Sequence, residues 1–222
     1  MLAPDPNNPA GVSGSRDEID VFLDAIVSGS AIDEVETLPK ELVSTLAEIL
    51  RAPGGTLTVT LSAPERVSGH DLTLARAGLL RRSRETPARE DLAVHPTSAL
   101  PGLLLRLTAI SPVEPLAEDV TLDVDATVVD SLFDAEPSTR HAAWSTMIEA
   151  STALPAAMRS ELEQAPPRAA RLVRHRPGGD RSATVVLLRG RYLLAEGSAL
   201  SALHGSSPTG AVRSLMTALL PR

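Results

Sequence analysis

The stretch Pro96–Leu107, PTSALPGLLLRL, is repeated in outline 112 residues later at Pro208–Leu219, PTGAVRSLMTAL. Apolar residues occupy the same five columns in both stretches, and each begins with the same Pro-Thr pair. Proline suits the first turn of a helix, and the apolar spacing that follows is helical. The pattern therefore predicts the same helix twice, about half the chain length apart.

Three further matches keep the same order along the chain, at offsets of 110, 113 and 112 residues. They pair Ile19–Ala25 with Val129–Ala135, Glu48–Pro53 with Glu161–Pro166, and Leu72–Leu79 with Thr184–Arg191. Because four collinear matches share nearly constant spacing, we predict an internal duplication with a period far too long for a solenoid. The expected product is two similar α+β halves, residues 17–110 and 120–222, joined by a linker at 111–119 and related by a pseudo-twofold axis.

Local patterns place secondary structure in each half. Ser15 to Glu18 has capping-box spacing before a helix over residues 17–27, and Pro39 begins a second helix that stops at Pro53. Thr56–Leu61 alternates as a strand, and the turn expected at Pro64–Gly69 makes a hairpin with the run that starts at Asp71. In the second half we expect an extended segment at 120–124, a short helix at 125–133, a long helical stretch at 141–163 interrupted near Pro155, a hairpin at 172–188, a strand at 192–194 and a helix at 209–220.

Residues 1–15 contain three prolines, two asparagines and two glycines. Such a segment has little apolar surface to bury, so we predict a flexible tail. The rest of the chain, residues 16–222, is then expected to form a single compact domain made of the two halves.

Composition restricts the class of function. The net charge of −7 repels phosphates, so nucleic acid is not an expected partner without a local basic patch. The absence of cysteine excludes disulfides, thiolate metal ligands and a cysteine nucleophile. Met1–Asp5 lacks the basic start and apolar stretch of a signal peptide, and no run approaches bilayer length, so we expect a cytoplasmic protein that does not insert into membranes.

Catalytic, cofactor and metal signatures are not visible in the sequence. The five histidines are never three or four residues apart, which is the spacing of helical metal pairs, and no phosphate-binding loop or nucleophile elbow occurs. Asp119, Asp123 and Asp125 alternate as in a calcium loop but lack its glycine and its final glutamate. We therefore predict no catalytic, cofactor-binding or metal site.

Arginines crowd the hairpin of the second half, and a smaller group follows the hairpin of the first half. A solvated strand face that offsets nearby acidic residues explains them, but guanidinium groups also suit a partner's carboxylates. Arg174 and Arg176 are the candidates for such a partner surface.

In the order of its segments the chain resembles the EspG family, cytosolic chaperones of type VII (ESX) secretion in mycobacteria and related actinobacteria. The resemblance covers residues 17–222. Its segments are the helix from Leu38-Pro39-Lys40 to Arg51-Ala52-Pro53, the strand Thr56–Leu61, the stretch Leu92–Pro96 with its Leu-rich helix, the strand Val120–Val124, the stretch Leu187–Leu194, and the last helix ending at Leu219-Leu220-Pro221.

The resemblance implies a quasi-twofold α+β body with a central antiparallel sheet and flanking helices. It also implies a partner, since members bind the tip of the PPE protein in a PE–PPE heterodimer through a sheet loop and a C-terminal helical region. Carried to this sequence, the loop is Pro64–His70 and the helical region is residues 141–163. The expected contact residues are Glu65, Arg66, Val67, His70, Trp144 and Met147.

The leading interpretation is thus a non-enzymatic chaperone or adaptor. A structural homo-oligomer on the same fold, with a homodimer as its simplest form, is the main alternative. An enzyme with a dispersed site comes third.

Overall fold

A computed structural model describes residues 2–5, 8–30, 39–86, 88–155, 165–196 and 202–219. Its strands are β1 (Ala3–Asp5), β2 (Asn8–Gly14), β3 (Gly55–Ala63), β4 (Arg66–Leu74), β5 (Leu79–Thr86), β6 (Arg89–His95), β7 (Thr121–Asp123), β8 (Arg168–His175), β9 (Arg181–Leu188), β10 (Arg191–Glu196) and β11 (Ala202–Ser206). Its α-helices are α1 (Arg16–Ser28), α2 (Lys40–Arg51), α3 (Leu100–Thr108), α4 (Ala126–Ser131), α5 (Pro137–Ala150) and α6 (Pro208–Leu219).

The chain is an α+β protein with antiparallel strands, and it divides into two compact units. The first unit contains residues 1–58 and 68–104, and the second contains residues 59–67 and 105–222. Strand β3 contributes to both, because its first residues belong to one unit and Val59 onward to the other.

The two units repeat one topology. The chain order β2-α1-α2-β3-β4-β5-β6-α3 recurs as β7-α4-α5-β8-β9-β10-β11-α6. The order of neighbouring strands also recurs: it is β2-β6-β5-β4-β3 in the first unit and β7-β11-β10-β9-β8 in the second. This agreement confirms that the fold is duplicated, as the repeated helix predicted.

Each unit buries an apolar core between its helices and its strands. In the first unit Ile19 and Phe22 of α1 and Ile49 of α2 are fully buried against β2, β5 and β6. In the second unit Trp144 and Met147 of α5 pack with residues of α4, β9 and β10. Removal of apolar surface from water at these positions is the main stabilising contribution.

Capping residues explain where the first helix of each unit, α1 or α4, begins. Ser15 and Glu18 form the capping box at the start of α1: the Ser15 backbone N–H donates to the Glu18 carboxylate at 2.9 Å, and the Glu18 N–H donates to the Ser15 hydroxyl. Asp125 caps α4 by accepting from the backbone N–H and the hydroxyl of Thr127, and these two bonds lower the pKa of Asp125.

Three expectations need correction. The flexible tail predicted for residues 1–15 is wrong for residues 3–5 and 8–14, which form β1 and β2. Gly11–Gly14 pair with β6, and β1 pairs with β2, because backbone pairing does not require apolar side chains. The polar stretch 81–91 is predicted from its sequence to be a loop or a frayed strand end, but residues 81–86 lie in β5 and residues 89–91 lie in β6. The helix expected over 141–163 covers Pro137–Ala150, with a 3₁₀ turn at Ser151–Ala153, while residues 156–163 of the expected helix lie outside the described part of the chain.

Candidate functional site

The hairpin of β3 and β4 turns more tightly than the sequence predicted. Its turn is Pro64–Glu65, and the expected turn residues Arg66–Gly69 are already in β4. Glu65 and Arg66 are exposed, and Val67 is half-buried. These three side chains form the tip of the hairpin, where Glu65 and Arg66 are open to solvent.

Two bonds hold the hairpin against the helices of the second unit. The Ser62 hydroxyl, which is 3% exposed, donates to the backbone carbonyl of Leu132 just after α4. The same hydroxyl accepts the indole N–H of Trp144 at 3.1 Å. Ser62 therefore connects β3 to both α4 and α5. Sequence reasoning missed it because Trp144 lies 82 residues further along the chain, and no local pattern joins the two.

Trp144 and Met147 cannot be direct contact residues, which corrects the expectation drawn from the resemblance. Their side chains are 1% and 0% exposed and lie inside the core of the second unit. The outer face of α5 is formed instead by His141, Ser145 and Ile148, and Ile148 is 41% exposed. The expected helix is present, but Trp144 and Met147 pack inward, as large apolar side chains usually do.

His70 is likewise a buried residue rather than a surface one. It lies on β4 at 2% exposure, and its Nδ1 is 2.9 Å from the Ser83 hydroxyl on β5. Burial lowers the pKa of His70 to about 4, assisted by the positive charges of Arg81 and Arg84 and opposed by Asp71. The imidazole is consequently neutral at neutral pH, and we withdraw His70 as a contact residue.

Most arginines of the second hairpin interact within the chain. Arg171 makes an ion pair of 2.7 Å with Asp130 and lies 4.3 Å above the Phe133 ring, while Arg191, almost fully buried, pairs with Glu114 at 2.6 Å. Arg174 donates to the carbonyl of Leu219 at the end of α6. This cluster therefore serves largely to join strands to neighbouring segments, and Arg174 has a structural role of its own.

The arginines that follow the first hairpin also form ion pairs within the chain. Arg82 on β5 makes ion pairs with Glu90 on β6 and with Asp20 on α1. Burial alone would lower the pKa of Arg82, but its bonds to these two carboxylates raise it above the usual value. Arg84 pairs with Asp71 at 2.6 Å across β4 and β5.

The second unit contains a cleft of about 460 Å³ between α6 and strands β10 and β11. Its polar lining includes Glu118, His204 and Arg213, all of which are exposed and which differ in charge. Within the part of the chain that the structure describes, no three His, Cys, Asp or Glu side chains are close enough together to hold a metal ion. None of the helices described combines the length and apolar character needed to cross a bilayer.

Comparison with known proteins is informative about the fold. No protein-family model matches the sequence, and no curated protein is significantly similar to it. The fold is similar to a solved structure described as the Mycobacterium tuberculosis type VII secretion system chaperone EspG5 in complex with a PE25–PPE41 dimer. The match has a TM-score of 0.55 at 10% sequence identity and covers 95% of this chain and 97% of the other. The chain therefore has an EspG-like fold.

Proposed function

We propose that this protein is a chaperone or adaptor of type VII secretion that binds a PE–PPE dimer and catalyses no reaction. The observation that carries the proposal is the fold similarity to a secretion chaperone that was solved with such a dimer, over nearly the whole of both chains. A chaperone that meets its client before export acts in the cytoplasm, which is where we place this protein.

Binding of this kind requires a complementary surface rather than a reaction centre. We propose that the surface comprises the hairpin tip, Glu65, Arg66 and Val67, together with the outer face of α5 and with Arg176 as a peripheral residue. Both parts belong to the second unit, and Ser62 connects them. Among the residues whose side chains are described, four large apolar ones are strongly exposed, and Ile148 on α5 is one of them.

Co-expression tests the proposal. The protein is expressed with candidate PE–PPE dimers, in particular those encoded near its own gene, and the products are separated by size-exclusion chromatography with mass measurement. We expect a 1:1:1 complex. A stable homodimer that binds none of these pairs would contradict the proposal and support the structural homo-oligomer.

A charge reversal then locates the contact. Arg66→Glu is expected to weaken binding of the dimer about tenfold or more. The substitution replaces a positive charge by a negative one, which would repel the partner groups that complement Arg66. Arg76→Glu is the matched control: it makes the same charge change at an exposed arginine in the turn between β4 and β5. Equal affinities for the two variants would remove the hairpin tip from the interface. Arg174→Glu is unsuitable, since it would also break the bond to Leu219.

A further inference from the structure

The end of the β3–β4 hairpin groups with a different unit from the rest of its strands. Residues 59–67 group with the helices of the second unit, whereas the start of β3 and most of β4 group with the first unit. Within the second unit, Ser62 bonds to the Leu132 carbonyl just after α4 and to the Trp144 indole of α5.

Ser62 is suited to this role by its chemistry. A hydroxyl can donate one hydrogen bond and accept others at the same time, and Ser62 does both: it donates to the Leu132 carbonyl and accepts from the Trp144 indole. All three residues are buried, so water cannot replace a lost partner. An alanine at this position would leave the indole N–H and the carbonyl unpaired at once.

The Trp144 ring is enclosed on all sides, because it lies in the core formed by α4, α5, β9 and β10. Ile148, one turn further along α5, is at the outer surface of the same helix. The bond from Ser62 to Trp144 thus fixes the hairpin relative to a helix whose exposed face we assign to the docking surface.

We infer that Ser62 is a positioning residue for partner binding. It holds the hairpin tip against α4 and α5, so that Glu65, Arg66 and Val67 are presented in a constant arrangement with the outer face of α5. This inference rests on the proposed function. Ser62 does not contact the partner, and it contributes by lowering the cost of ordering the surface when the partner binds.

The test compares Ser62→Ala, Ser62→Thr and Ser83→Ala in binding to a PE–PPE dimer that the unchanged protein binds. Ser83→Ala is the matched control, since it also deletes a buried strand hydroxyl with a side-chain partner, His70, but in the first unit. We expect Ser62→Ala to raise Kd about tenfold, Ser62→Thr to restore binding because it keeps the hydroxyl, and Ser83→Ala to leave Kd within about twofold.

A second readout reports on the hairpin without the partner. Trp144 is the only tryptophan in the chain, so incorporation of 5-fluorotryptophan gives a single ¹⁹F resonance from the indole that Ser62 binds. Ser62→Ala is expected to shift and broaden this resonance, whereas Ser62→Thr and Ser83→Ala keep it close to its original position. Should Ser62→Ala not fold, Trp144→Phe removes the indole donor, together with part of the ring that fills the core, and is also expected to weaken binding.

The outcomes separate the inference from the function on which it rests. If the unchanged protein binds the dimer and Ser62→Ala binds it equally well, the positioning role is overturned and the proposed function stands. An unshifted ¹⁹F resonance in Ser62→Ala would also overturn it. If the unchanged protein binds no dimer, the proposed function fails first and the positioning role fails with it.

Discussion

At the scale of single residues, burial decides what a side chain can do. His70 was expected at a partner surface because its neighbours in the sequence suggested a turn, yet it lies inside the sheet beside Ser83. When the protein unfolds at a pH below the ordinary pKa of histidine, a histidine that burial kept neutral takes up a proton. It therefore links the stability of the fold to pH.

Stability is expected to fall in mild acid because of His70. Its pKa is about 4 in the folded protein and close to 6.5 in the unfolded chain, so the unfolded state binds more protons as the pH falls from 6.5 to 4. The contribution is complete above pH 6.5 and lost progressively down to pH 4. Between pH 7 and pH 5 the free energy of unfolding should decrease by about 2 kcal/mol more than in His70→Gln.

Urea unfolding at the two pH values measures this difference. His204→Gln, at an exposed histidine of β11, is the control and should retain the pH dependence of the unchanged protein. If His70→Gln loses stability in acid as steeply as the unchanged protein does, His70 is not the group responsible.

At the scale of elements, the connection between the repeated parts is irregular but firmly docked. Residues 109–120 run from α3 to β7 without regular structure. The Leu116 N–H donates to the Ser206 carbonyl at 3.2 Å, and the Gly205 N–H donates to the Val120 carbonyl at 2.8 Å. The backbone of Ala117 passes so close to Gly205 that a Cβ there would lie 2.1 Å from the Ala117 carbonyl oxygen.

Gly205→Ala is accordingly expected to destabilise the protein by about 3 kcal/mol, since the clash is with backbone and cannot be relieved by a side-chain rotation. Thermal or urea unfolding measures the loss. Gly178→Ala, in the turn between β8 and β9, meets no atom within 4 Å of the added Cβ and should change the stability by less than about 0.5 kcal/mol. A Gly205→Ala variant as stable as Gly178→Ala would mean that the connection is not packed on β11.

Elements with a local signal were predicted well, and those without one were not. The capping box of α1 and the cap of α4 lie within three residues of the helices that they begin, so both helix starts could be read directly. Strand β2 has no such signal: its glycine- and proline-containing sequence is extended because β6 offers it hydrogen-bond partners. Strand β11 was missed for a similar reason, since it is defined by pairing with β10 and β7.

At the scale of the whole molecule, duplication is the organising feature. The order of elements and the order of neighbouring strands both recur. Leu103 and Leu215, which are 112 residues apart, are both buried in corresponding helices. Gly78 and Gly190, at the same offset, both immediately precede the third strand of a four-strand run. The match of Glu48–Pro53 remains a prediction, because residues 161–164 of its partner lie outside the described part of the chain.

Residues 17–110 and 120–222 are expected to superpose in an experimentally determined structure, with Pro96 over Pro208 and Leu103 over Leu215. The physical reason is that the two helices present the same apolar columns to equivalent strands. A superposition that needed these helices to shift by a turn, or that failed altogether, would show that the repeated sequence did not produce a repeated structure.

The sequence by itself determined the duplication, the α+β class and the beginnings of most helices, because each depends on spacing within a segment or on comparison of one segment with another. Only the tertiary structure decided which residues of the candidate site are accessible. Arg66 is exposed, whereas Trp144 and His70 are buried, although the local sequence did not indicate the difference. The role of Ser62 depends on atoms 70 and 82 residues away. Contacts between residues so far apart in the chain are determined by tertiary packing, and the local sequence pattern does not predict them.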